Sequence, residues 1–188
     1  QGVGSGQGSG LGPGFGGALN AHAMLAGSPS KPEIAFEMKG KHLILPGEHH
    51  LASLSASGSL YHETVNYKME AAGYQRKSEA QMQSLTLAIQ GSRSRHELSA
   101  KAHLGNDAAL DLHASGALAD TAQGWRNVQW RGVISDLTAT GPIPFRLLAA
   151  TPATLGRERI SLGKAEFSVA GGRAQLASTE WTPMSWNS

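Results

Sequence analysis

Short stretches in which apolar and polar residues alternate, each closing near a glycine, recur along this chain. Examples are LSASGSL at residues 54–60, LTLAIQG at 85–91 and LDLHASGAL at 110–118. Successive side chains of a β-strand point to opposite faces, so each stretch predicts a strand with one apolar and one polar face. About a dozen such strands, each of about 5–10 residues, predict an all-β protein.

Composition supports this fold class and excludes several kinds of site. The 188 residues are enough for one sizeable domain, while 24 glycines and only 6% aromatic residues indicate many turns. The chain has no cysteine, which excludes disulfides, thiolate nucleophiles and Cys-ligated zinc. The net charge of +2 comes without blocks of one sign, which argues against a nucleic-acid partner. No apolar run approaches the roughly 18 residues of a transmembrane helix.

Two regions differ in complexity. Glycine occupies every even position from Gly2 to Gly16 and also position 17, which predicts a Gly-rich flexible linker over residues 1–17. A phosphate-binding loop would need a Lys followed by Ser or Thr, and this segment has neither pair. Residues 18–188 then form the predicted β-section. The chain begins with glutamine, and we expect it to be an excised fragment.

Local signals place turns and irregularities in the predicted strands. Residues 105–107 and the Gly171-Gly172 pair predict tight turns. The apolar parity changes at Ser84, which predicts a bulge or a turn. Residues 79–90 fit helical spacing in part, but their Thr and Ile content favours a strand. Residues 74–81 are the more plausible place for a turn of helix.

Two architectures are compatible with an apolar face on about twelve strands. A closed β-sandwich or barrel folds the sheet onto itself. An elongated curved sheet, about 58 Å wide at about 4.8 Å per strand, would leave an open trough with an apolar interior. The apolar parity holds many Ala and Gly residues, which leave room either for a closely packed partner sheet or for a flexible apolar ligand such as an acyl chain.

The order of these strands resembles a known family. The densest similarity runs through residues 95–98, 110–112, 116–118, 130–137, 144–147 and 152–155 and ends at the 171–172 hairpin. This succession is similar to the TamB-type translocation and assembly module proteins of the wider AsmA-like group. The chain departs from the family pattern in its Gly-rich leader, in lacking a membrane anchor, and in having Phe145 where a Trp is typical. We therefore expect an internal or C-terminal-half section.

The resemblance implies a fold, a location and partners. Family members curl a long β-sheet into an apolar trough, are anchored in the inner membrane by an N-terminal helix and span the periplasm of Gram-negative bacteria. They are implicated in moving phospholipid to the outer membrane and in assembling outer-membrane proteins with an Omp85-type barrel partner. The implied function is a passive lipid conduit. The alternative is a non-enzymatic β-scaffold that binds a protein partner by adding strands at an exposed edge.

Residues on the apolar parity are the predicted lining of the lipid groove. They are Ile34, Phe36, Met38, Leu54, Leu60, Val65, Tyr67, Met69, Leu85, Leu87, Ile89, Leu98, Leu104, Leu110, Leu112, Val128, Trp130, Ile134, Phe145, Leu147, Ile160, Leu162, Phe167, Val169 and Leu176. The parity that Trp130 shares with Ile134 favours a place in this lining over a role in base stacking.

No pattern of catalytic or metal-binding residues emerges from the sequence. His49 and His50 are adjacent and would point to opposite faces of a strand, and His96-Glu97 lacks the second His of a zinc-protease helix. A Gly-x-Ser-x-Gly elbow is also missing from the sequence. We expect no catalytic residues, no metal and no cofactor, and therefore a protein that is not an enzyme.

Overall fold

The computed structural model describes residues 2–7, 15–28, 31–77, 79–119, 129–156 and 159–182, and this part of the chain contains strands and no helix. No described helix is therefore a candidate to cross a membrane. The strands are β1 (Gly2–Gln7), β2 (Gly16–Ser28), β3 (Lys31–Leu45), β4 (His49–Tyr61), β5 (Thr64–Arg76), β6 (Glu79–Ser92), β7 (His96–Leu104), β8 (Ala109–Ala119), β9 (Gln129–Thr140), β10 (Phe145–Leu147), β11 (Thr151–Leu155), β12 (Ile160–Leu162), β13 (Ala165–Val169), β14 (Gly172–Leu176) and β15 (Thr179–Trp181).

All of these strands belong to one antiparallel sheet that stays open. β1 to β9 follow one another as a meander, each paired with the next. The sheet then forks at β9: the part around Trp130–Ile134 pairs with β11, and the part around Thr138–Ala139 pairs with β10. One branch continues from β10 through β13 to β14, and the other continues from β11 through β12 to β15.

The sheet is a single layer. In the described part of the chain, the substantial contacts between elements all join strands that are hydrogen-bonded neighbours. The accessible surface of 12910 Å² is far above the roughly 8,600 Å² expected for a compact monomer of this mass. The predicted open, elongated antiparallel sheet is confirmed, and the alternative of a closed sandwich is wrong because no second layer of described residues covers the first.

Alternation of side chains explains why these segments form strands. In β5, Val65, Tyr67 and Met69 are half-buried, while Asn66 and Lys68 between them are exposed. A strand that buries every second residue gains apolar contact on one face and keeps its polar groups hydrated on the other. The strand predicted for residues 79–90 is confirmed as β6.

Two tight turns are confirmed with their physical cause. Asn106 and Asp107 both have positive φ, 59° and 56°, and so do Ala170 and Gly171, 46° and 86°. Two consecutive residues in the left-handed region match the right-handed twist of a hairpin, and Asn, Asp and Gly tolerate that region best. The second turn lies one residue earlier than predicted, since Gly172 already begins β14.

A seam of irregularities crosses the sheet where the sequence changes parity. The register between β6 and β7 shifts between Met82 and Ser84, so the predicted bulge is confirmed. Gly73 on β5 and His42 on β3 have φ of 67° and 49° along the same line. Beyond this seam the apolar positions advance by three residues instead of two, which brings Leu43 over Gly40 on one face.

The turn of helix predicted over residues 74–81 is wrong. β5 continues to Arg76 and β6 begins at Glu79, so this region is a hairpin. Lys77 in the connection has a φ of 51°, and its backbone N–H donates to the carbonyl of Glu48 at 3.1 Å. Pairing with β4 and β7 on either side outweighs the local helical spacing.

The glycine-rich leader contributes strands to this sheet. Gly2–Gln7 is β1, paired antiparallel with β2, and β2 begins at Gly16. Residues 8–14 lie outside the described part of the chain. The division into a linker over 1–17 and a β-section over 18–188 stays a prediction.

Candidate functional site

Direct pairing across neighbouring strands brings apolar residues into continuous rows. Residues opposite one another in an antiparallel sheet point to the same face, so each register line is one row of side chains. The second of four adjacent rows contains Ala23, Phe36, Gly58, Tyr67, Ile89, Leu98, Ala114 and Ile134. Such a row crosses eight strands, from β2 to β9, or about 38 Å.

The other three rows repeat this character. The first contains Leu25, Ile34, Leu60, Val65, Gly91, His96, Gly116, Gly132, Ala153 and Leu162; the third contains Ala21, Met38, Ala56, Met69, Leu87, Ala100, Leu112 and Leu137; and the fourth contains Leu19, Gly40, Leu54, Ala71, Leu85, Ala102, Leu110, Ala139, Phe145 and Val169. We call these four rows the apolar face. Rows are two residues apart along a strand, so the face is about 20 Å across.

Most of the predicted lining residues lie on the apolar face. The exceptions lie beside it: Trp130 and Ile160 share a row flanking the first, Leu147 pairs with Phe167 on the β10 branch, and Leu104 and Leu176 are 38% and 41% exposed. Val128 lies outside the described residues. That these side chains contact lipid stays a prediction.

Sequence reasoning predicted only Leu104 of a fifth apolar row beyond the seam and missed its other members. This row consists of Leu43, Leu51, Tyr74, Met82 and Leu104. Leu43 is 6% exposed and belongs to the small buried set of the sheet. The parity change near Ser84 was the one sequence signal for this row, and it marks a single strand.

Glycines on the apolar face let aromatic rings lie close to the sheet. A Cβ on Gly58 would stand 2.5 Å from Cε1 of Phe36 and 3.2 Å from Cδ2 of Tyr67. The two rings have centroids 6.0 Å apart. Rings that pack over a glycine restore contact that the missing side chain would otherwise forfeit. The rings of Phe36 and Tyr67, tilted by 44° to each other, thus lie next to Gly58 in the second row.

A second aromatic residue covers glycines at the edge of the first row. A Cβ on Gly116 would stand 2.6 Å from Cε2 of Trp130, and one on Gly132 would stand 2.5 Å from Cη2. The indole Nε1–H of Trp130 donates to Nε2 of His96 at 2.9 Å. An indole nitrogen is only a donor, so Nε2 of His96 accepts and the imidazole proton resides on Nδ1.

The opposite face of the sheet is polar and carries ion pairs. Lys39 contacts Glu37 at 2.5 Å, and Lys101 on β7 contacts Asp111 on β8 at 2.9 Å. The hydrogen bond from Lys101 lowers the pKa of Asp111, partial burial opposes the shift, and the charges of Lys101 and His113 add to it. These groups are too exposed to be strong stabilising contacts.

Removing the Lys101 amine should restore the pKa of Asp111. In Lys101→Ala we expect that pKa to rise toward its ordinary value, because the hydrogen bond and the positive charge are lost. A lowered pKa in the folded state stabilises the fold above the ordinary pKa, and this contribution is lost as pH falls through the lowered value. Carboxyl NMR between about pH 2 and pH 6 measures the shift. Lys39→Ala is the control: it should raise the pKa of Glu37 and leave the pKa of Asp111 unchanged.

The polar face holds shallow depressions. A depression of about 650 Å³ borders Arg95, Glu97, Ser115 and Arg131, and one of about 550 Å³ borders Ser99 and other polar-face residues. Among the residues with described positions, no three His, Asp or Glu side chains lie close enough together to hold a metal ion.

Comparison with known families identifies the architecture. Residues 7–153 match the family model described as TamB, N-terminal domain, which covers most of the chain and all of the strands from β2 to β9. This placement is compatible with an internal section of a longer protein. Comparison with curated protein sequences and with solved structures yields no match. The open sheet, its rows and this match together show that the chain belongs to the TamB family.

Proposed function

We propose that this protein is a non-enzymatic lipid-conduit module of a TamB-type protein, whose apolar face holds phospholipid acyl chains. The observation that carries the proposal is the continuity of the four rows across β2 to β9, in a sheet whose described residues provide no second layer. An uncovered apolar area of this size is an aggregation liability unless a ligand or a membrane component occupies it.

The chemistry of the face suits passive movement. Each methylene buried against it stabilises a bound chain by about 0.8 kcal/mol. Leu occurs in every row together with Ile, Met or Val, so neighbouring positions offer similar contacts and a chain would slide between them without a deep minimum. No described side chain on the face carries a permanent charge that would hold a head group there. Head groups would face solvent, and direction and energy would come from elsewhere in the full-length protein.

Membership of the family extends the proposal to location and partners. We place the module in the periplasm of a Gram-negative bacterium, within a full-length protein anchored in the inner membrane. In this arrangement it carries phospholipid between inner and outer membrane and is linked to outer-membrane protein assembly through an Omp85-type barrel partner.

The free edges of the sheet favour a second candidate. Among the described strands, β14 pairs only with β13 and β15 only with β12, and every residue of both strands is exposed. Unpaired backbone groups at such an edge can accept a strand from another chain. The second candidate is therefore a β-scaffold that binds a protein partner, including the Omp85-type barrel, by edge-strand addition.

Native mass spectrometry of the protein purified without detergent separates the two candidates. The conduit predicts bound phospholipid at reproducible stoichiometry, identified after solvent extraction of the same sample. A single apo mass that is unchanged after incubation with phospholipid vesicles would contradict the conduit and leave edge-strand addition as the better account.

A further inference from the structure

A single histidine interrupts the apolar face. His96 lies in the first row, is 3% exposed, and is the one histidine in the four described rows. Its Nε2 accepts from Trp130 at 2.9 Å, and its Nδ1–H donates to the carbonyl of Ser92 at 3.0 Å. Both ring nitrogens are thus satisfied in the neutral form alone, since protonation would place an N–H opposite the indole N–H.

Three glycines lie next to His96 in the first row. Gly91 and Gly116 are its direct partners on β6 and β8, and Gly132 is the next residue along the row. The indole of Trp130 lies over Gly116 and Gly132, where a Cβ would overlap it. The indole of Trp130 therefore occupies the space left by the missing side chains of Gly116 and Gly132, which we call the glycine notch. Its hydrogen bond to His96 holds the indole in this position.

Among the described residues, no carboxylate pairs directly with His96 on the apolar face. The residues that pair with or lie beside it on this face, from β6, β8 and β9, are Gly91, Ile89, Gly116, Ala114, Gly132 and Trp130, and none of them titrates. Two charged residues follow at this end of the sheet: the carbonyl of Arg93 accepts from the N–H of Leu118 at 2.8 Å, and the carbonyl of Glu63 accepts from the N–H of Arg93 at 2.9 Å. Arg95 precedes it in the chain and carries the same sign as an imidazolium. Glu97 follows it and, by strand alternation, belongs to the opposite face.

We propose that His96 and Trp130 form a proton-sensitive latch over this glycine notch. When Nε2 takes a proton from water, the acceptor for the indole is lost and an imidazolium stands on an apolar surface. The imidazolium turns toward water, Trp130 loses its anchor, and the strip over Gly116 and Gly132 opens. The latch rests on the geometry of the sheet and not on lipid binding, so it can fail or succeed independently of the conduit.

Indole NMR of the folded protein in the absence of lipid tests the latch. The Trp130 indole proton is assigned by its loss in Trp130→Phe, and the exposed Trp181 indole serves as the internal reference for solvent exchange. We expect exchange of the Trp130 proton to be slow relative to Trp181 at about pH 8, and its relative protection to fall about tenfold on acidification to about pH 4.5, because burial and both hydrogen bonds favour the neutral imidazole.

Two variants distinguish the latch from a general loosening of the sheet at low pH. In His96→Gln the side-chain carbonyl can accept the indole proton and does not titrate, so the protection of Trp130 should no longer depend on pH. His113→Gln removes an exposed histidine of β8 and should leave the wild-type pH response intact. Constant protection of Trp130 across this pH range would overturn the latch, and so would loss of the far-ultraviolet β-sheet signal in the same interval.

Discussion

Replacing Leu87 with arginine is expected to reduce bound phospholipid about tenfold or more while leaving the sheet folded. Leu87 lies in the third row between Met69 and Ala100, near the middle of the apolar face. An acyl chain crossing this point would lose contact with two or three methylenes at about 0.8 kcal/mol each and would meet a charge. Phospholipid retained through purification, quantified by mass spectrometry after extraction, measures the loss.

The adjacent residue provides a matched control. Thr86 is on the same strand, is exposed, and pairs with Glu70 and Lys101 on the polar face. Thr86→Arg adds the same charge to the same strand on the opposite face and should leave bound lipid unchanged. Equal lipid in both variants would contradict the conduit. Unfolding of Leu87→Arg alone would show that the apolar face is packed against protein, because arginine on an uncovered face can extend into water.

Replacing Gly132 with alanine is expected to destabilise the protein by about 1–3 kcal/mol. Alanine normally improves a strand position occupied by glycine, since glycine loses more backbone entropy on folding. At Gly132 the added Cβ would overlap the indole of Trp130 at 2.5 Å and would lie closer still to the backbone oxygen of Ser115. The free energy of unfolding in urea measures the effect.

Replacing a glycine that has space around its Cα with alanine should not lower the stability of the protein. A Cβ on Gly172, the first residue of β14, would meet only the backbone oxygen of Val169, at an ordinary 3.5 Å. Gly172→Ala should therefore be neutral or stabilising by a few tenths of a kcal/mol. Similar stability of both variants would mean that Trp130 does not occupy the notch over Gly132.

Several features of the fold were predictable because they are local. Alternation of apolar and polar residues correctly assigned the faces of strands such as β5, and the parity change at Ser84 marked a real bulge. The turn at Asn106 and Asp107 was predictable because these residue types adopt positive φ at low cost. The helical turn expected over residues 74–81 failed because pairing with neighbouring strands overrides weak local spacing.

The candidate site was predictable in character but not in its details. Parity identified apolar lining residues on most strands, since each contributes every second side chain to the same face. It could not reveal the contact between His96 and Trp130, which are 34 residues apart in the chain. Nor could it extend the parity change of one strand into a seam and a fifth row, because that requires the register of several strands at once.

The sequence by itself determined that this protein is built of strands with one apolar and one polar face, because period-two alternation is a property of each segment alone. Only the tertiary structure decided that the sheet stays open, forks at β9 and lays Trp130 over glycines of two strands. Those outcomes depend on which strands pair and in what register. An alternating pattern is equally compatible with an open sheet and a closed sandwich, and only long-range pairing distinguishes them.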